Sequence, residues 1–485
     1  MTLPSTLGGL DRERFAHLGV RDEVRRNLMR KIAAGEELFP GIVGYEDTVV
    51  PQVVNALMAR HDLILLGLRG QAKTRLSRML VSLLDEWTPM VAGSQLREHP
   101  LAPVTEAIKR QVEQQGDATP LQWLHRDQRY GEKLATPDVT VADLIGDVDP
   151  LKAAHRKLDL SDEEVIHFGI VPRSNRGIFC VNEIPDLAPR IQVALLNLLE
   201  EQDIQIRGFP LRIPLDVVMV FTANPEDYTN RGSIITPLKD RIASQITTHY
   251  PRSLADSKLI TMSEAWTERN TPKVQCPSFI DDIVEEIAFR GRESEFIDQK
   301  SGVSARLTIA ARELLHSQVE VRALRHPKDP VAPRIIDLQR IAPGITGKVE
   351  LVYEGEQEGA ARVAHHLLGE SCQTVFDRLF PMAIEGDDPS PADDTYKPIL
   401  DWFARGATLD ITDANAFTDY AATLDAVPGL GAIVSASLGE LNPAERACAM
   451  ELVIEGLHQH NLLSKQDLDT GASYGDMLRS MMGSL

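Results

Sequence analysis

The sequence predicts an α/β fold, in which a parallel sheet carries a phosphate loop and a helical region follows. Three observations lead there. An apolar run, Leu63 to Leu66, breaks into a glycine-bearing turn that ends in Lys73-Thr74. Two later apolar segments, 177–183 and 216–222, each end in polar residues. Beyond Pro251 the apolar spacing changes to the helical period.

Leu63 to Leu66 suits a short strand buried on both faces. Gly67 and Gly70 allow the tight turn that points successive N–H groups at phosphate oxygens. Lys73 supplies a cation for the β- and γ-phosphates, and the Thr74 hydroxyl a ligand for Mg²⁺. Leu68, Arg69, Gln71 and Ala72 complete the cradle, so the implied cofactors are ATP and Mg²⁺. Ala72 departs from the usual pattern, in which a third glycine precedes the lysine. The next helix carries Leu76, Met79, Leu80, Leu83 and Leu84 on one face, with its positive end toward the anion.

In P-loop ATPases a second buried strand lies beside the first and supplies acids toward Mg²⁺ and the attacking water. Gly177 to Glu183 has that form, with Glu183 as the water-activating residue. Asn182 stands where an aspartate is expected, and an amide brings no negative charge to the metal. Glu183 also reads as an acid at a helix start before Pro185 and Pro189. Asp216 to Thr222 is a third strand; Asn224 at its tip suits orientation of the lytic water, and Asn224-Pro225 equally opens a turn. Arg241 ends a short helix before the strand 245–248. It is a candidate arginine finger for a neighbouring subunit, or a solvated arginine paired with Asp240.

With these motifs in order, the chain resembles an AAA+ ATPase of the group containing the MoxR proteins and the magnesium-chelatase ATPase subunit. Gly67 to Thr74 matches the MoxR form of the loop, which also tolerates alanine before lysine. The segment 41–47 resembles the stretch that often lies against adenine, which implies Ile42 and Val43 as nucleotide contacts. Residues 142–149 and 175–178 are similar to the chelatase stretch before the second acidic motif. The resemblance covers roughly residues 38–345. It implies a P-loop AAA+ core over 38–250, with an insertion within 90–175 and a β-hairpin at 204–214. Family members use that hairpin on partners; the bland alternative is a sheet-edge extension. A helical N-terminal extension, 1–37, precedes the core, and a helical lid with connecting helices, 251–380, follows it.

In the lid, Phe279, Ile280, Ile283, Val284 and Ile287 share one helical face. Arg306 matches the position from which the lid touches the γ-phosphate, and otherwise reads as a surface arginine of an amphipathic helix. A Pro-rich acidic linker at 386–394 leads to a small helical C-terminal domain, 395–485, whose apolar faces serve as core or dock a partner.

The resemblance implies an ATP-driven remodelling or chaperone-like ATPase, acting as a ring, commonly a hexamer, with a partner that carries a von Willebrand A domain. The other class is a slow nucleotide-dependent switch or assembly platform, in which Asn182 has traded turnover for a long-lived ATP state. A transcription activator of the enhancer-binding type would carry a Gly-Ala-Phe-Thr-Gly-Ala loop, and this chain has none.

Composition narrows the partners. With 51 Lys and Arg against 71 Asp and Glu, the formal charge is −20. Contact with phosphate backbones rests on clustered cations, so nucleic acid is an unlikely partner, though a basic patch at Arg207 and Arg212 stays open. Four separated cysteines suggest a reducing compartment, and the chain shows no signal peptide or membrane-length run, so the expected location is cytoplasmic. His365-His366 and His458-x-His460 lack companion ligands and read as solvent-facing helix residues.

Overall fold

The computed structural model describes residues 3–156, 163–206, 212–225, 232–269, 272–384, 394–468 and 471–477. The chain divides into two compact units, Met1–His249 and Tyr250–Leu485.

The first unit holds eleven strands among its described residues. They are β1 (Leu63–Leu66), β2 (Trp87–Val91), β3 (Leu121–His125), β4 (Tyr130–Leu134), β5 (Gly146–Val148) and β6 (Ile166–Phe168). Then come β7 (Gly177–Asn182), β8 (Asp203–Gln205), β9 (Arg212–Pro214), β10 (Val217–Ala223) and β11 (Ser244–Thr247). Five of these form the main sheet, in the order β11-β1-β10-β7-β4, and every pair is parallel. The strand bearing Asn182 was expected beside β1, but β10 lies between them. β10 is buried at all seven positions and stands at the middle of the covered sheet.

Alternation then sorts the two faces. Ile64, Leu66, Phe179, Val181, Met219 and Phe221 pack on one side, and Leu63, Leu65, Ile178, Cys180, Val218 and Val220 on the other. The helix Val20–Ala33 contributes Val20, Val24 and Leu28 to the second face. The predicted N-terminal extension is thus part of this unit's core. Its polar side is clamped as well. Arg21 pairs with Asp62 at 2.7 Å, and Glu23 takes both terminal nitrogens of Arg129 at 2.6 and 2.7 Å.

Within 90–175, β4 joins the main sheet at its edge, whereas β2 and β3 pair antiparallel outside it. The helix Glu106–Gln115 lies between β2 and β3, and β5 and β6 form another antiparallel pair. The expected hairpin is β8 with β9, in the register Asp203↔Pro214. Its turn, 207–211, lies outside the described residues, and Arg207 with it. Arg212 lies 3.6 Å from Asp203, so the one described member of the supposed basic patch has an acidic partner.

The second unit differs from the expectation of a helical lid and a separate helical C-terminal domain. One continuous core runs from Phe279 to Tyr474. The helix Pro443–Gln459 is buried on every side from Ala447 to Leu457, so other elements must enclose it. Helix Ala360–Leu379 packs on it, as does β13 (Leu463–Leu468), which with β12 (Leu409–Thr412) and β14 (Gly471–Asp476) forms a three-stranded antiparallel sheet in the order β12-β14-β13; the Tyr474 hydroxyl of β14 meets Glu455 of the helix at 2.5 Å. Glu451 of that helix accepts the N–H groups of Ile335 and Ile336, both at 2.9 Å, and the Tyr420 hydroxyl at 2.6 Å. Of the expected linker only Asp394 is among the described residues.

His365 and His366 are exposed as expected. His460 is not: it is buried, with Nε2 2.6 Å from Asp377 Oδ1, because it caps the end of the enclosed helix. Among the described residues no group of three or more His, Cys, Asp or Glu could hold a metal ion, and no single helix is long and apolar enough to cross a membrane. The four cysteines are free.

Candidate functional site

All five strands of the main sheet run the same way, so the residues that follow them gather at one edge. There the first turn after β1 is drawn in by both neighbours. The Gly67 N–H donates to the Ala223 carbonyl of β10 at 3.2 Å, and Thr248, after β11, donates its N–H to the Leu66 carbonyl at 2.7 Å. A side chain at Gly67 would run into the Thr248 hydroxyl and the Gln71 amide, which is why glycine is needed. Gly70 turns at φ 74°. Ala72 also takes a left-handed conformation, φ 55°, where the usual pattern has glycine. For an L-residue that costs about 1–2 kcal/mol, so the departure is carried as strain at the loop.

Lys73 opens the helix Lys73–Met79 and is buried, its ammonium held by the carbonyls of Gly67 and Leu68, the latter at 3.1 Å. Leu76, Leu80, Leu83 and Leu84 are buried behind it, as the spacing predicts. Leu68 and Arg69 are half-buried beside the turn.

The Thr74 hydroxyl lies 3.5 Å from Asn182 Oδ1 at the end of β7. The Thr222 hydroxyl of β10 reaches the same oxygen at 3.3 Å and accepts the Glu183 N–H at 3.0 Å. β10 therefore links the loop to Asn182 and Glu183 although it separates their strands. Glu183 is a second left-handed residue, φ 55°, ψ 53°, opening a single 3₁₀ turn. Its side chain makes no capping hydrogen bond to that turn, Ile184–Asp186. Asn224 follows Ala223, which is paired in register with Leu66, so Asn224 and Gly67 leave the sheet side by side. Ile42 is buried in the core beneath the loop's face, and Val43 is half-buried next to it.

One predicted residue of this unit is not brought to this edge. Arg241 ends the helix Thr236–Arg241 just before β11, whose first residue is level with Leu63, the start of β1. It stands where the strands begin, at the opposite edge from the loop. Its guanidinium meets Glu200 at 2.7 Å and the Pro237 carbonyl at 3.0 Å, so Glu200, not Asp240, is its partner. Arg306 begins the helix Arg306–Arg325 in the second unit and is exposed.

Sequence reasoning missed two supports of the loop. The Tyr45 hydroxyl lies 2.9 Å from the Gln71 carbonyl and 2.9 Å from the His249 carbonyl, and burial pushes its ionisation up to about 12. The Thr248 hydroxyl lies 2.7 Å from Gln71 Oε1. A tyrosine and a threonine in connecting segments carry no spacing signal.

Residues 120–242 match the family model of the AAA domain, dynein-related subfamily. This stretch is similar to an AAA domain. It holds Asn182, Glu183, Asn224 and Arg241, and the phosphate loop precedes it. The main sheet with its covering helices is the α/β P-loop AAA+ fold that the motifs predict. Solved structures with similarity to the chain include NtrX of Brucella abortus in complex with ADP, at 11% identity and a TM-score of 0.37, covering 73% of this chain and 60% of that one. The chain thus spans less than two thirds of NtrX. A candidate ATPase of Cytophaga hutchinsonii has 16% identity and a TM-score of 0.31, over 72% of this chain and 95% of that one. A chain from the complex between the BchI and BchD subunits of magnesium chelatase has 18% identity and a TM-score of 0.35, over 66% and 98%. No curated protein matches the chain.

Proposed function

We propose that the protein is an ATP-hydrolysing AAA+ remodelling machine of the MoxR and magnesium-chelatase kind, acting as a ring, most simply a hexamer, on or with a partner protein bearing a von Willebrand A domain. The observation that carries this reading is the convergence, at one edge of a parallel sheet, of the Gly67–Thr74 turn, the Asn182-Glu183 pair and Asn224. That edge is where open α/β sheets take their ligands. The donors fit the group: loop N–H groups and a helix start suit phosphate, and the Thr74 hydroxyl with the Asn182 amide oxygen offers Mg²⁺ the oxygen ligands it favours.

On this reading Lys73 leaves the carbonyls of Gly67 and Leu68 for the β- and γ-phosphates. Thr74 and Asn182 hold Mg²⁺, which when bound neutralises the charge that builds on the phosphate oxygens. Glu183 accepts a proton from the attacking water, and Asn224 orients that water. Ile42 and Val43 supply an apolar flank for the base. Arg241, on the far edge of its own sheet, serves the site of a neighbouring subunit, and Arg306 is the further arginine proposed to act on the γ-phosphate.

Arg241→Ala is expected to keep nucleotide affinity and to lower turnover about 10³-fold. Mixing Arg241→Ala with Glu183→Gln chains restores activity, because an intact Glu183 then receives Arg241 from its neighbour. Full activity in Arg241→Ala alone, or no rescue on mixing, refutes the shared site.

Asn182 favours one alternative, a slow switch whose ATP state outlasts hydrolysis. The two readings part on Asn182→Asp, assayed for steady-state turnover across Mg²⁺ concentrations. A motor already running at speed gains little from the added charge, whereas a slow switch gains at least about tenfold and needs less Mg²⁺.

A further inference from the structure

We propose that the first unit holds a second ligand site, at the edge where the strands begin, for a zwitterionic α-amino acid with an apolar side chain. The site stands apart from the phosphate loop, at the opposite edge of the sheet, and owes nothing to a bound nucleotide.

Arg176 and Asp216 immediately precede β7 and β10, whose first residues, Gly177 and Val217, are paired in register. The Arg176 N–H donates to the Asp216 carbonyl at 2.6 Å, so both side chains start from adjoining backbone. Both line a cavity of about 620 Å³, within the size range of ligand pockets. The lysine and arginine side chains of its lining are Arg21, Arg60, Lys109 and Arg176. Arg21 pairs with Asp62 at 2.7 Å, Arg60 with Asp22 at 3.2 Å and Lys109 with Glu106 at 2.8 Å. Arg176 alone of the four lacks a carboxylate partner among the described residues, although it is only 6% exposed. Its guanidinium bonds to the carbonyls of Pro89 and Arg97, at 2.8 and 3.1 Å, and to the Thr88 hydroxyl, all neutral. Burying a cation in this way is costly, and burial brings its ionisation down to about 9.

The acids of the lining leave the complementary gap. Asp22 is taken by Arg60, and Glu201 is exposed. Glu98 accepts the Thr105 N–H and hydroxyl, both at 2.8 Å, and the Ser94 hydroxyl at 3.1 Å. Among the described residues the Asp216 carboxylate accepts only the Val20 N–H, at 2.7 Å through Oδ2, and forms no ion pair with Arg176. A ligand carboxylate on Arg176 and a ligand ammonium on Asp216 Oδ1 give each charge the partner it lacks. The rest of the wall suits an apolar body: Pro103, Val104 and Leu215 line it, beside His99. His99 is 2% exposed, and burial, with the Arg176 charge second, pushes its ionisation down to about 3, so it adds no charge at neutral pH.

Calorimetric titration of the full chain with L-phenylalanine and with L-leucine, in the absence of nucleotide, tests this. At least one of them is expected to bind at one site per chain. The N-acetyl and amide forms of that amino acid, each short of one charge, bind at least about tenfold more weakly. Asp216→Asn keeps an acceptor for the Val20 N–H and loses affinity for the free amino acid by a similar factor. Ala102→Trp leaves both charges in place but puts a ring into the cavity from its half-buried wall, and abolishes binding. Circular dichroism checks that each variant is folded, and either one serves if the other is not. Failure of both amino acids to bind the wild type overturns the proposal. So does undiminished binding by the folded variants, or by the N-acetyl and amide forms.

Discussion

Lys73→Ala is expected to lose ATP binding by at least about 100-fold and all measurable turnover, with the fold intact. The ammonium now sits against two loop carbonyls, Gly67 O and Leu68 O, inside a turn held from both sides by β10 and β11. Its removal deletes a buried cation of the loop, while the glycine turn and the helix behind it remain. Equilibrium binding of a fluorescent ATP analogue, with far-ultraviolet circular dichroism as the control for folding, checks both halves of the expectation. Near wild-type affinity would mean that the loop does not hold phosphate.

The largest effect on stability is expected at Arg129. This side chain is 1% exposed, gives both terminal nitrogens to Glu23 and its Nε to the Arg176 carbonyl at 2.8 Å. Glu23 in turn accepts the Asp85 N–H at 2.7 Å, so one buried carboxylate ties the first helix to two distant parts of the unit. Arg129→Ala leaves that carboxylate buried without its counter-charge, which costs about 3–5 kcal/mol. The contrast is Arg26, whose pair with Asp85 is half exposed to solvent; Arg26→Ala costs at most about 1 kcal/mol. Urea unfolding followed by circular dichroism separates the two. Equal costs would show that burial is not what makes the Glu23 pair matter.

What could be read from the sequence follows from how local each signal is. The loop, the Glu183 strand and the strand before Asn224 are contiguous runs whose composition marks both strand and tip, so these elements could be read one by one. Strand order is not local. Nothing within 177–183 says that β10 will stand between it and β1, and the Asn182–Thr222–Glu183 links exist only because it does.

The Arg129–Glu23 pair is separated by 106 positions, and each member alone reads as a surface charge. The strands β13 and β14, Leu-Ser-Lys-Gln-Asp-Leu and Gly-Ala-Ser-Tyr-Gly-Asp, lack the apolar alternation that marks a half-buried strand. They are held by a helix buried all round, and the sequence expectation of an all-helical C-terminal domain missed them for that reason. Tyr45 was visible only as part of a resembling segment. Its role depends on Gln71 and His249 meeting across 26 and 204 positions.

The central claim is that the edge formed by Gly67–Thr74, Asn182, Glu183 and Asn224 hydrolyses ATP. The most direct test is Mg²⁺-dependent phosphate release by the wild type and by Glu183→Gln, measured beside retention of bound nucleotide. The expected result is turnover in the wild type that vanishes on chelation of Mg²⁺, and a Glu183→Gln chain that holds ATP without releasing phosphate. Phosphate release by Glu183→Gln at the wild-type rate would contradict the account.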